Sequence, residues 1–359
     1  MSVSTYDGPL GLTVNVRPQD TQVSVGFNSR LVFLAPSTGA TGTDPVFIDS
    51  AQQAVDAVDT DADGLAIQAA RQNGATDTYL VPYDPSATDG VATATETAIG
   101  LDPRYIVLTS DDQQDIIDSH TVITDFATDL ELTRLWAPLH DSAASSPLDA
   151  TDVTNASPAV ESHRLVQVAP RYATETYNGS STQAWLVGAV AGQAARKPLG
   201  SSLAYDQITV EGLASEFRPS AVDSVEQFTV VTKDQEIVDG HTASGSDALR
   251  DVFQAEIVDV VTLGVAEIAK EYAGSAVNTP EQRANLVTDV EGFLNNLATD
   301  RPPLLSDAGG GNAFAARATL GDTDDAVDLL VGISPVDVMK QITVNLNVSS
   351  TVTVDSVEA

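Results

Sequence analysis

Histidine is the side chain that most readily acts as a base or a metal ligand near neutral pH, and the sequence contains four. His120, His140, His163 and His241 all lie outside the His-Glu-x-x-His and His/Cys spacings of metalloenzymes. His140-Asp141 could supply the base and the orienting acid of a hydrolase triad, but no Gly-x-Ser-x-Gly motif supplies a nucleophile. We therefore predict that His140 is a loop histidine after a strand. No catalytic residues and no metal ligands are assigned.

A run of carboxylates matches the first half of a calcium-binding loop. Asp59, Asp61 and Asp63 occupy positions one, three and five of an EF-hand loop, and Gly64 occupies position six. The twelfth position requires a bidentate Glu and holds Ala70 instead, which excludes an EF-hand. Two interpretations stay open: a weak cation site on these three carboxylates, or an acidic turn between two helices.

Two further motifs carry little chemistry. The Gly-rich segment 308–312 is not followed by Gly-Lys-Ser/Thr, so it is not a P-loop, and we predict a surface loop and no cofactor. Asn155, Asn178 and Asn347 each begin an Asn-x-Ser triplet, but such triplets arise often by chance. No set of residues in the sequence favours catalysis.

The charge of the chain predicts the solvent it is adapted to. Its 359 residues include 51 acidic and 17 basic ones, a net charge of −34, and only four of the basic residues are Lys. Such a surface repels itself in dilute buffer, whereas at molar salt the Debye length falls to about 3 Å and the repulsion is screened. We predict a halophilic protein of haloarchaeal source, the alternative being an acidic mesophilic protein.

Composition also excludes several classes of function. The acidic surface argues against binding to nucleic acid through a broad basic face. The absence of Cys excludes disulfides, thiolate catalysis and Cys-based metal sites. The first residues lack the basic and apolar regions of a signal peptide, and no apolar run approaches the ~18 residues that span a bilayer. We expect a soluble chain made in the cytoplasm, with no direct membrane insertion.

Secondary-structure patterns predict an α/β arrangement up to about residue 200. A cap is expected at Asp49 or Ser50 for the first helix and at Thr109 or Ser110 for a later one. The predicted elements are a strand at 22–36, helices at 49–58 and 64–74, a strand at 76–83, a strand and then a helix within 104–127, strands at 132–139 and 164–172, and a buried small-residue helix at 183–196.

The remainder of the chain has a different character. The predicted elements are a hairpin at 227–240, helices at 247–274 and 278–301, strands near 313–319 and 326–333, and an alternating, Val- and Thr-rich strand at 341–354. Thr279 is the predicted N-cap of the helix at 278–301, with Gln282 completing a capping box. Leu286, Val290, Phe293 and Leu297 form its apolar stripe.

Several segments succeed one another in an order that points to one family. In the first half they are an apolar strand, a Gly/Pro-rich turn and a short helix at 24–58, a helix and a strand at 66–83, and a strand, a loop and an Ala/Gly-rich helix at 168–200. In the second half they are a long helix at 255–274, a break at Asn278, a helix with a Phe-Leu pair at 287–297, and a Ser-Pro turn into the last strand at 331–348. In this order the chain resembles the tail sheath proteins of contractile phage tails and related injection systems.

The resemblance also has departures. The family's usual aromatic-Glu-Pro-Asn run is missing at the break, and Asp337 and Met339 stand where members often have Pro-Glu-Phe. The chain is short, so outer decorating domains are not expected. Whether the sheath belongs to a haloarchaeal virus, with ejection of a genome into the host, or to a virus-derived injection machine stays open.

The resemblance implies a mixed α/β (α+β) fold of two domains with extended terminal strands. We expect an N-terminal arm at 1–18, an outer α/β domain at 19–200, an inner C-terminal domain at 201–340 and a C-terminal linking arm at 341–359.

The resemblance also implies where subunits touch. In the family, terminal arms add strands to the sheets of neighbouring subunits, and a helix of the inner domain faces the tail tube. An alternating strand at 341–354 suits this role, because an unpaired edge strand is otherwise an aggregation hazard; an ordinary intramolecular strand is the alternative. The candidate arm residues are Thr13, Val14, Val16, Ile342, Val344, Leu346 and Val348. The candidate tube-facing residues are Arg283, Asn285, Asp289, Asn295, Asn296 and Arg301.

The function implied is that of a virion-tail component assembled in the host cytoplasm, which stacks as hexameric rings into a helical sheath. Its partners would be other copies of itself, a tail tube protein, and baseplate and tail terminator proteins. Contraction of a metastable lattice would then drive the tube through an envelope without nucleotide. The competing hypotheses are another tail component (tube or baseplate), a halophilic α/β enzyme, and a surface-layer protein or adhesin, the last disfavoured by the lack of a signal peptide.

Overall fold

The structure is a computed structural model that describes most of the chain. The described residues are 29–127, 132–140, 156–198, 201–213, 226–246, 249–273, 277–299, 303–306, 312–321 and 326–336. The predicted arms at 1–18 and 341–359, with all seven candidate arm residues, lie outside this part of the chain, as does Arg301.

Strands and helices alternate through the first half of the chain. The strands are β1 (Leu31–Pro36), β2 (Val46–Phe47), β3 (Thr78–Tyr83), β4 (Tyr105–Leu108), β5 (Arg134–Pro138), β6 (Leu165–Ala169), β7 (Tyr172–Tyr177), β8 (Ser180–Trp185), β9 (Gly212–Leu213), β10 (Thr229–Val230), β11 (Phe314–Leu320) and β12 (Val327–Ile333). The helices are α1 (Ala51–Asp56), α2 (Asp61–Gln72), α3 (Gly90–Ile99), α4 (Gln113–Ala127), α5 (Leu186–Arg196), α6 (Val252–Tyr272) and α7 (Pro280–Thr299). The predicted mixture of helix and strand is confirmed.

A seven-stranded sheet organises this first part. Its order is β10-β6-β5-β4-β1-β3-β2, and every neighbouring pair is parallel except β2 with β3. The strands β4, β5 and β6 are buried along their whole length, as parallel strands covered on both faces must be. Side chains of β1 alternate between the two faces of the sheet, with Phe33 on one face and Leu34 on the other, and we call the apolar layers on these two faces together the first core. The sheet is thus the middle layer of three.

Helices cover both faces of the sheet. One face packs against α1, α2 and α5, and the other packs against α3 and α4. Sequence patterns did not predict α3, because its Thr-rich composition is weak for a helix and its N-cap residue, Asp89, has a positive φ of 62°.

Helices α2 and α5 pack so closely that their backbones are in contact. A Cβ placed on Gly188 would lie 2.1 Å from the carbonyl oxygen of Ala66, and one on Gly192 would lie 2.3 Å from that of Ala70. Only glycine fits such a contact. The predicted burial of this small-residue helix is confirmed, but the helix begins at Leu186 and not at residue 183.

Residues before α5 belong to a hairpin that was not predicted. Strands β7 and β8 pair antiparallel, with Tyr177 opposite Ser180. The two turn residues, Asn178 and Gly179, have positive φ angles of 50° and 77°, as a type I′ turn requires. The Asn178 triplet therefore begins in a hairpin turn, and its Asn-Gly pair is the sequence signal that could have revealed the hairpin.

A second core forms around α6 and α7. The predicted stripe of Leu286, Val290, Phe293 and Leu297 is buried there against α6 and the β11–β12 hairpin, as expected. A Cβ on Gly264 of α6 would lie 2.2 Å from the Phe293 ring, so this glycine makes room for that ring. Residues 203–252 still contribute to the first core, so the second core begins at Phe253. The proposed domain boundary at residue 200 stays a prediction.

Several predicted helix ends differ in the structure. Helix α4 is capped by Asp112, whose Oδ1 accepts from the N–H groups of Gln114 and Asp115, and not by Thr109 or Ser110. Helix α6 begins at Val252 and not at residue 247. Thr279 Oγ1 does accept from the Gln282 N–H, but the Thr279 N–H donates to Val277 O, so the capping box is incomplete. Ser50 caps α1 as predicted.

The predicted hairpin at 227–240 is only partly antiparallel. Val231 and Ile237 form an antiparallel bridge, whereas β10 itself joins the large sheet in parallel beside β6. Within the described ranges, none of the helices combines the length and apolarity needed to cross a bilayer.

Candidate functional site

Helix α7 carries the residues predicted to face a tail tube. Asn285 and Asn295 are exposed, whereas Arg283, Asp289 and Asn296 are only partly accessible. These five side chains are spread around the helix, from the borders of the buried stripe to the exposed side, so they do not form one continuous surface. Their predicted contact with a tube stays a prediction.

Two of these residues have partners within the chain. Arg283 Nη1 donates to Asn278 Oδ1 at 2.6 Å, and the Tyr272 hydroxyl donates to Asp289 Oδ2. Both bonds connect α7 to the end of α6 and the segment that follows it. Asp289 therefore holds α7 to the end of α6, and Arg283 holds the segment that leads into α7, contacts that the sequence pattern did not reveal.

A cavity of about 290 Å³ opens beside these contacts. It lies where the end of α6, the start of α7 and strand β12 meet. Its lining is mixed, with apolar groups from Leu286, Val327 and Leu329 and polar groups from Asn278 and Arg283.

The β11–β12 hairpin is a two-stranded sheet in the described part of the chain. All its residues pair with each other, from Phe314–Ile333 to Leu320–Val327. Leu330 is 72% exposed and Leu320 is 50% exposed. Leu330 pairs with Arg317 and Leu320 pairs with Val327, so the two leucines project from opposite faces of the hairpin. Among the described residues, neither strand has a second partner at its outer edge.

The most heavily charged site of the described structure is buried between the two cores. Arg104, Arg134 and Arg164 stand at the start of the neighbouring parallel strands β4, β5 and β6, so they meet at one edge of the sheet. All three are at most 8% exposed. We call these residues, with Glu256 and Asp259 of α6, the ionic cluster.

Asp259 binds two arginines of the ionic cluster. Its Oδ2 accepts from Arg134 Nη2 at 2.6 Å and from Arg164 Nη1 at 2.8 Å, and its Oδ1 accepts from Arg164 Nη2 at 2.6 Å. Such short charge-assisted bonds with a two-pronged Arg contact are the strong kind. They hold α6 to the first residues of β5 and β6.

Glu256 binds the third arginine. Arg104 Nε and Nη2 lie 3.1 and 3.0 Å from Glu256 Oε1, which also accepts from the Tyr105 hydroxyl at 2.5 Å. Arg104 Nη1 donates to the carbonyls of Ala195 and Lys197 at the end of α5. The ionic cluster thus joins the sheet, α5 and α6.

Burial and the arginine charges also act on nearby imidazoles. Burial, with the neighbouring Arg164 guanidinium, lowers the pKa of His163 to about 4. Burial and Arg164 likewise lower the pKa of His120. Both histidines are therefore neutral at pH 7, and neither is poised as a general base.

The opposite edge of the sheet is where ligands bind in open α/β folds. Here it is occupied by the chain's own groups: Arg171 pairs with Asp111 at 3.1 Å and donates to the carbonyls of Leu139 and His140. His140 Nε2 lies 2.9 Å from the carbonyl oxygen of Ser157, and since a carbonyl only accepts, that nitrogen carries the proton. The predicted structural role of His140 fits this contact, whereas Asp141 lies outside the described residues.

The carboxylates of the possible cation site have other roles. Asp63 is buried in the first turn of α2, where its oxygens accept from Thr60 Oγ1 and Trp185 Nε1 at 2.7 Å each. Asp59 accepts from the backbone and hydroxyl of Thr38. The hypothesis of a cation site is therefore not supported, because Asp61 and Asp63 begin a helix and do not line a loop.

Comparison with known proteins connects this fold to one class of assemblies. No protein-family model matches the sequence, and no curated protein matches it. A chain of the contracted helical sheath of the anti-feeding prophage superposes with a TM-score of 0.66 at 13% identity, covering 97% of this chain and 98% of that one.

Two other solved structures agree. A chain of the six-fold symmetrised baseplate of the anti-feeding prophage gives a TM-score of 0.65 at 14% identity, covering 97% and 100% of the two chains. A sheath tail protein of Listeria innocua gives 0.58 at 9% identity, covering 88% and 93%.

Proposed function

We propose, because this chain has the fold of tail sheath proteins, that it is a structural subunit of a contractile sheath. The observation that carries the proposal is the extent of the structural similarity. It covers nearly the whole of both chains and is not limited to one layer of the fold. The two cores, the connection between them and the β11–β12 hairpin are all part of the matched length.

The assembly proposed is a helical stack of six-fold rings around a tail tube, ending on a baseplate and closed by a terminator protein. Contraction to a wider and shorter lattice of lower free energy drives the tube through an envelope, with no catalysed reaction. The contracted sheath and the six-fold symmetrised baseplate among the similar structures support this geometry. The sheath belongs to a virus tail or to an injection system derived from one.

The links between subunits are proposed to be added strands. The outer edges of β11 and β12 offer main-chain groups, and Leu330 on one face and Leu320 on the other are exposed apolar side chains beside them. The arms that fill these edges would come from neighbouring copies, through Val14 and Val16 at one end and Val344 and Leu346 at the other. Main-chain pairing tolerates rotation of the subunit bodies, because the connecting arm can bend while its hydrogen bonds persist.

The body of each subunit is proposed to move as one piece. The ionic cluster joins α6 to three strands of the large sheet, so the second core cannot rotate freely against the first. A sheath that transmits force through its subunits requires such a connection. The exposed side of α7, with Asn285 and Asn295, is the proposed tube-facing surface.

The net charge of −34 sets the conditions for assembly. At molar salt, neighbouring subunits approach without strong repulsion because the Debye length is about 3 Å. We therefore expect polymerisation of the purified protein to require salt of this order.

The test is electron microscopy of the full chain and of a truncation after residue 340, both in about 3 M salt, where surface charge is screened. We expect striated hollow tubes from the full chain and soluble, folded monomers from the truncated one. Val344→Pro should act like the truncation because it removes a strand donor, whereas Val344→Thr, the matched control, should still form tubes. Normal tubes from the truncated chain would refute the role of the C-terminal arm.

A full chain that stays monomeric alone and also in the presence of a tail tube template would count against the sheath proposal itself. Small closed oligomers under both conditions would favour a different tail component.

A further inference from the structure

A group of metal-ligand side chains that is not part of the ionic cluster lies at the junction of the two cores. Asp239, His241 and Asp251 each offer one ligand atom, and these atoms all lie within 4.8 Å of one another. His241 and Asp251 are only 5% and 7% exposed. In the sequence these residues are too widely spaced to form a recognisable motif, and the fold brings them together.

The backbone holds the three residues in place. Asp239 and His241 are two residues apart, and their side chains converge, since their ligand atoms lie within 4.8 Å of each other. His241 forms an antiparallel bridge with Asp251, fixed by bonds from Val252 N to Gly240 O at 2.8 Å and from Thr242 N to Arg250 O at 2.6 Å. This arrangement is built before any ligand binds.

The distances suit a shared ion better than direct bonds. His241 Nε2 lies 3.7 Å from Asp239 Oδ2 and 3.6 Å from Asp251 Oδ1. Both separations exceed a hydrogen bond. Two ligands about 2.1 Å from one tetrahedral ion lie about 3.4 Å apart, as follows from the zinc–ligand lengths. The His241 nitrogen is therefore spaced from each carboxylate oxygen much as neighbouring vertices of one coordination shell are, and the two oxygens lie at most 4.8 Å apart.

The position of Asp251 supports the same assignment. Asp251 is the N-cap residue of α6, yet its side chain makes no capping hydrogen bond. An N-cap aspartate ordinarily uses its carboxylate for that purpose. Here a carboxylate oxygen of Asp251 lies 3.6 Å from His241 Nε2 instead.

We propose that Asp239, His241 and Asp251 form a structural site for a divalent transition-metal ion. Two carboxylates and one imidazole favour ions such as Zn²⁺ over Mg²⁺, which prefers oxygen ligands alone. The ion would tie the segment at 239–241 to the start of α6, where the first core ends and the second begins. The proposal stands independently of the sheath function.

The test is calorimetric titration of chelator-treated full-length protein with ZnCl₂, and separately with MgCl₂, in molar NaCl to suppress binding by scattered surface carboxylates. We expect one saturable Zn²⁺ site per chain and a melting temperature that rises with Zn²⁺ concentration. His241→Gln, Asp239→Asn and Asp251→Asn should each weaken Zn²⁺ binding at least about tenfold. The control Asp234→Asn, at an exposed turn in the same segment, should bind like the parent.

Equal Zn²⁺ binding by the parent and by the three ligand variants, or no saturable binding at all, would overturn the proposal. If the variants do not fold, imidazole NMR of the parent protein decides. Zn²⁺ should then change the signals of one of the four histidines, and a change in none or in all four would overturn the site.

Discussion

Asp259 and Arg164 form a two-pronged ion pair with both contacts at 2.6–2.8 Å, although 95 residues separate them in sequence. Asp259 also accepts from Arg134, so two guanidinium groups share one carboxylate at this edge of the sheet. This ion pair ties α6, the first helix of the second core, to the large sheet of the first core.

Removal of the Asp259 charge should destabilise the whole subunit. Asp259→Asn would leave two buried arginines without their shared carboxylate, which we expect to lower the free energy of unfolding by about 3–5 kcal/mol. Denaturant titration in molar salt measures this change. Asp234→Asn, whose side chain is 68% exposed, is the control and should change stability by less than about 0.5 kcal/mol. Similar small effects for both variants would show that α6 is not held by the ionic cluster.

Two Gly→Ala changes should have opposite effects on stability, because Gly188 lies in the close contact between α2 and α5 and Gly292 of α7 does not. Gly188→Ala forces a methyl group against the Ala66 carbonyl and should cost about 1–3 kcal/mol. Gly292→Ala in α7 meets no atom within 4 Å and should gain about 0.5–1 kcal/mol from helix propensity. Thermal unfolding of the two variants side by side measures the difference, and equal shifts would contradict the contact.

The lowered pKa of His163 predicts a pH dependence of stability. In the window between about pH 6.5, the ordinary value, and about pH 4, the unfolded chain takes up a proton that the folded chain does not. His163 therefore reduces stability progressively as pH falls through that window, and has no further effect below it. Burial raises the pKa of Asp63 and Asp115, and these shifts increase stability as pH falls, opposite to the effect of His163. The contribution of His163 is therefore measured against a variant that lacks the imidazole.

His163→Gln should remove this contribution. We expect the variant to lose less stability than the parent between pH 6.5 and pH 4 in urea titrations, with the two curves parallel above pH 7. Parallel curves over the whole range would show that His163 titrates normally in the folded state.

The exposed face of the β11–β12 hairpin should matter for assembly and not for folding. Leu330→Asp places a charge on a side chain that is 72% exposed, so the melting temperature of the monomer should stay within about 2 °C, in line with the small effects of surface changes. Tube formation in molar salt should be lost. Thr121→Asp, on the exposed side of α4, is the control and should assemble. Normal tubes from the Leu330 variant would place the inter-subunit contact elsewhere.

Sequence patterns located the elements whose signals are local. The buried strand β1, the break at Asn73-Gly74 and the stripe on α7 are all where periodicity and caps placed them. The β7–β8 hairpin was missed despite its Asn178-Gly179 turn, because its strands are half polar and were merged with the loop before α5.

The sites depend on contacts that no local pattern contains. Arg104 and Glu256 are 152 residues apart, and in the sequence each is one charge among many on an acidic chain. Their significance appears only when the parallel sheet brings three strand starts to one edge. For the same reason, no local pattern relates His241 to Asp251, which the fold places side by side.

The burial of the ionic cluster predicts how the proposed assembly responds to a loss of salt. Ions in solution screen the outer charges of the chain but hardly reach pairs whose side chains are at most 9% exposed. Transfer from molar salt to dilute buffer would therefore strengthen repulsion at the proposed contacts between copies and leave the buried ion pairs inside each copy intact. We therefore expect dilution of the salt to separate the proposed assembly into folded subunits that can assemble again.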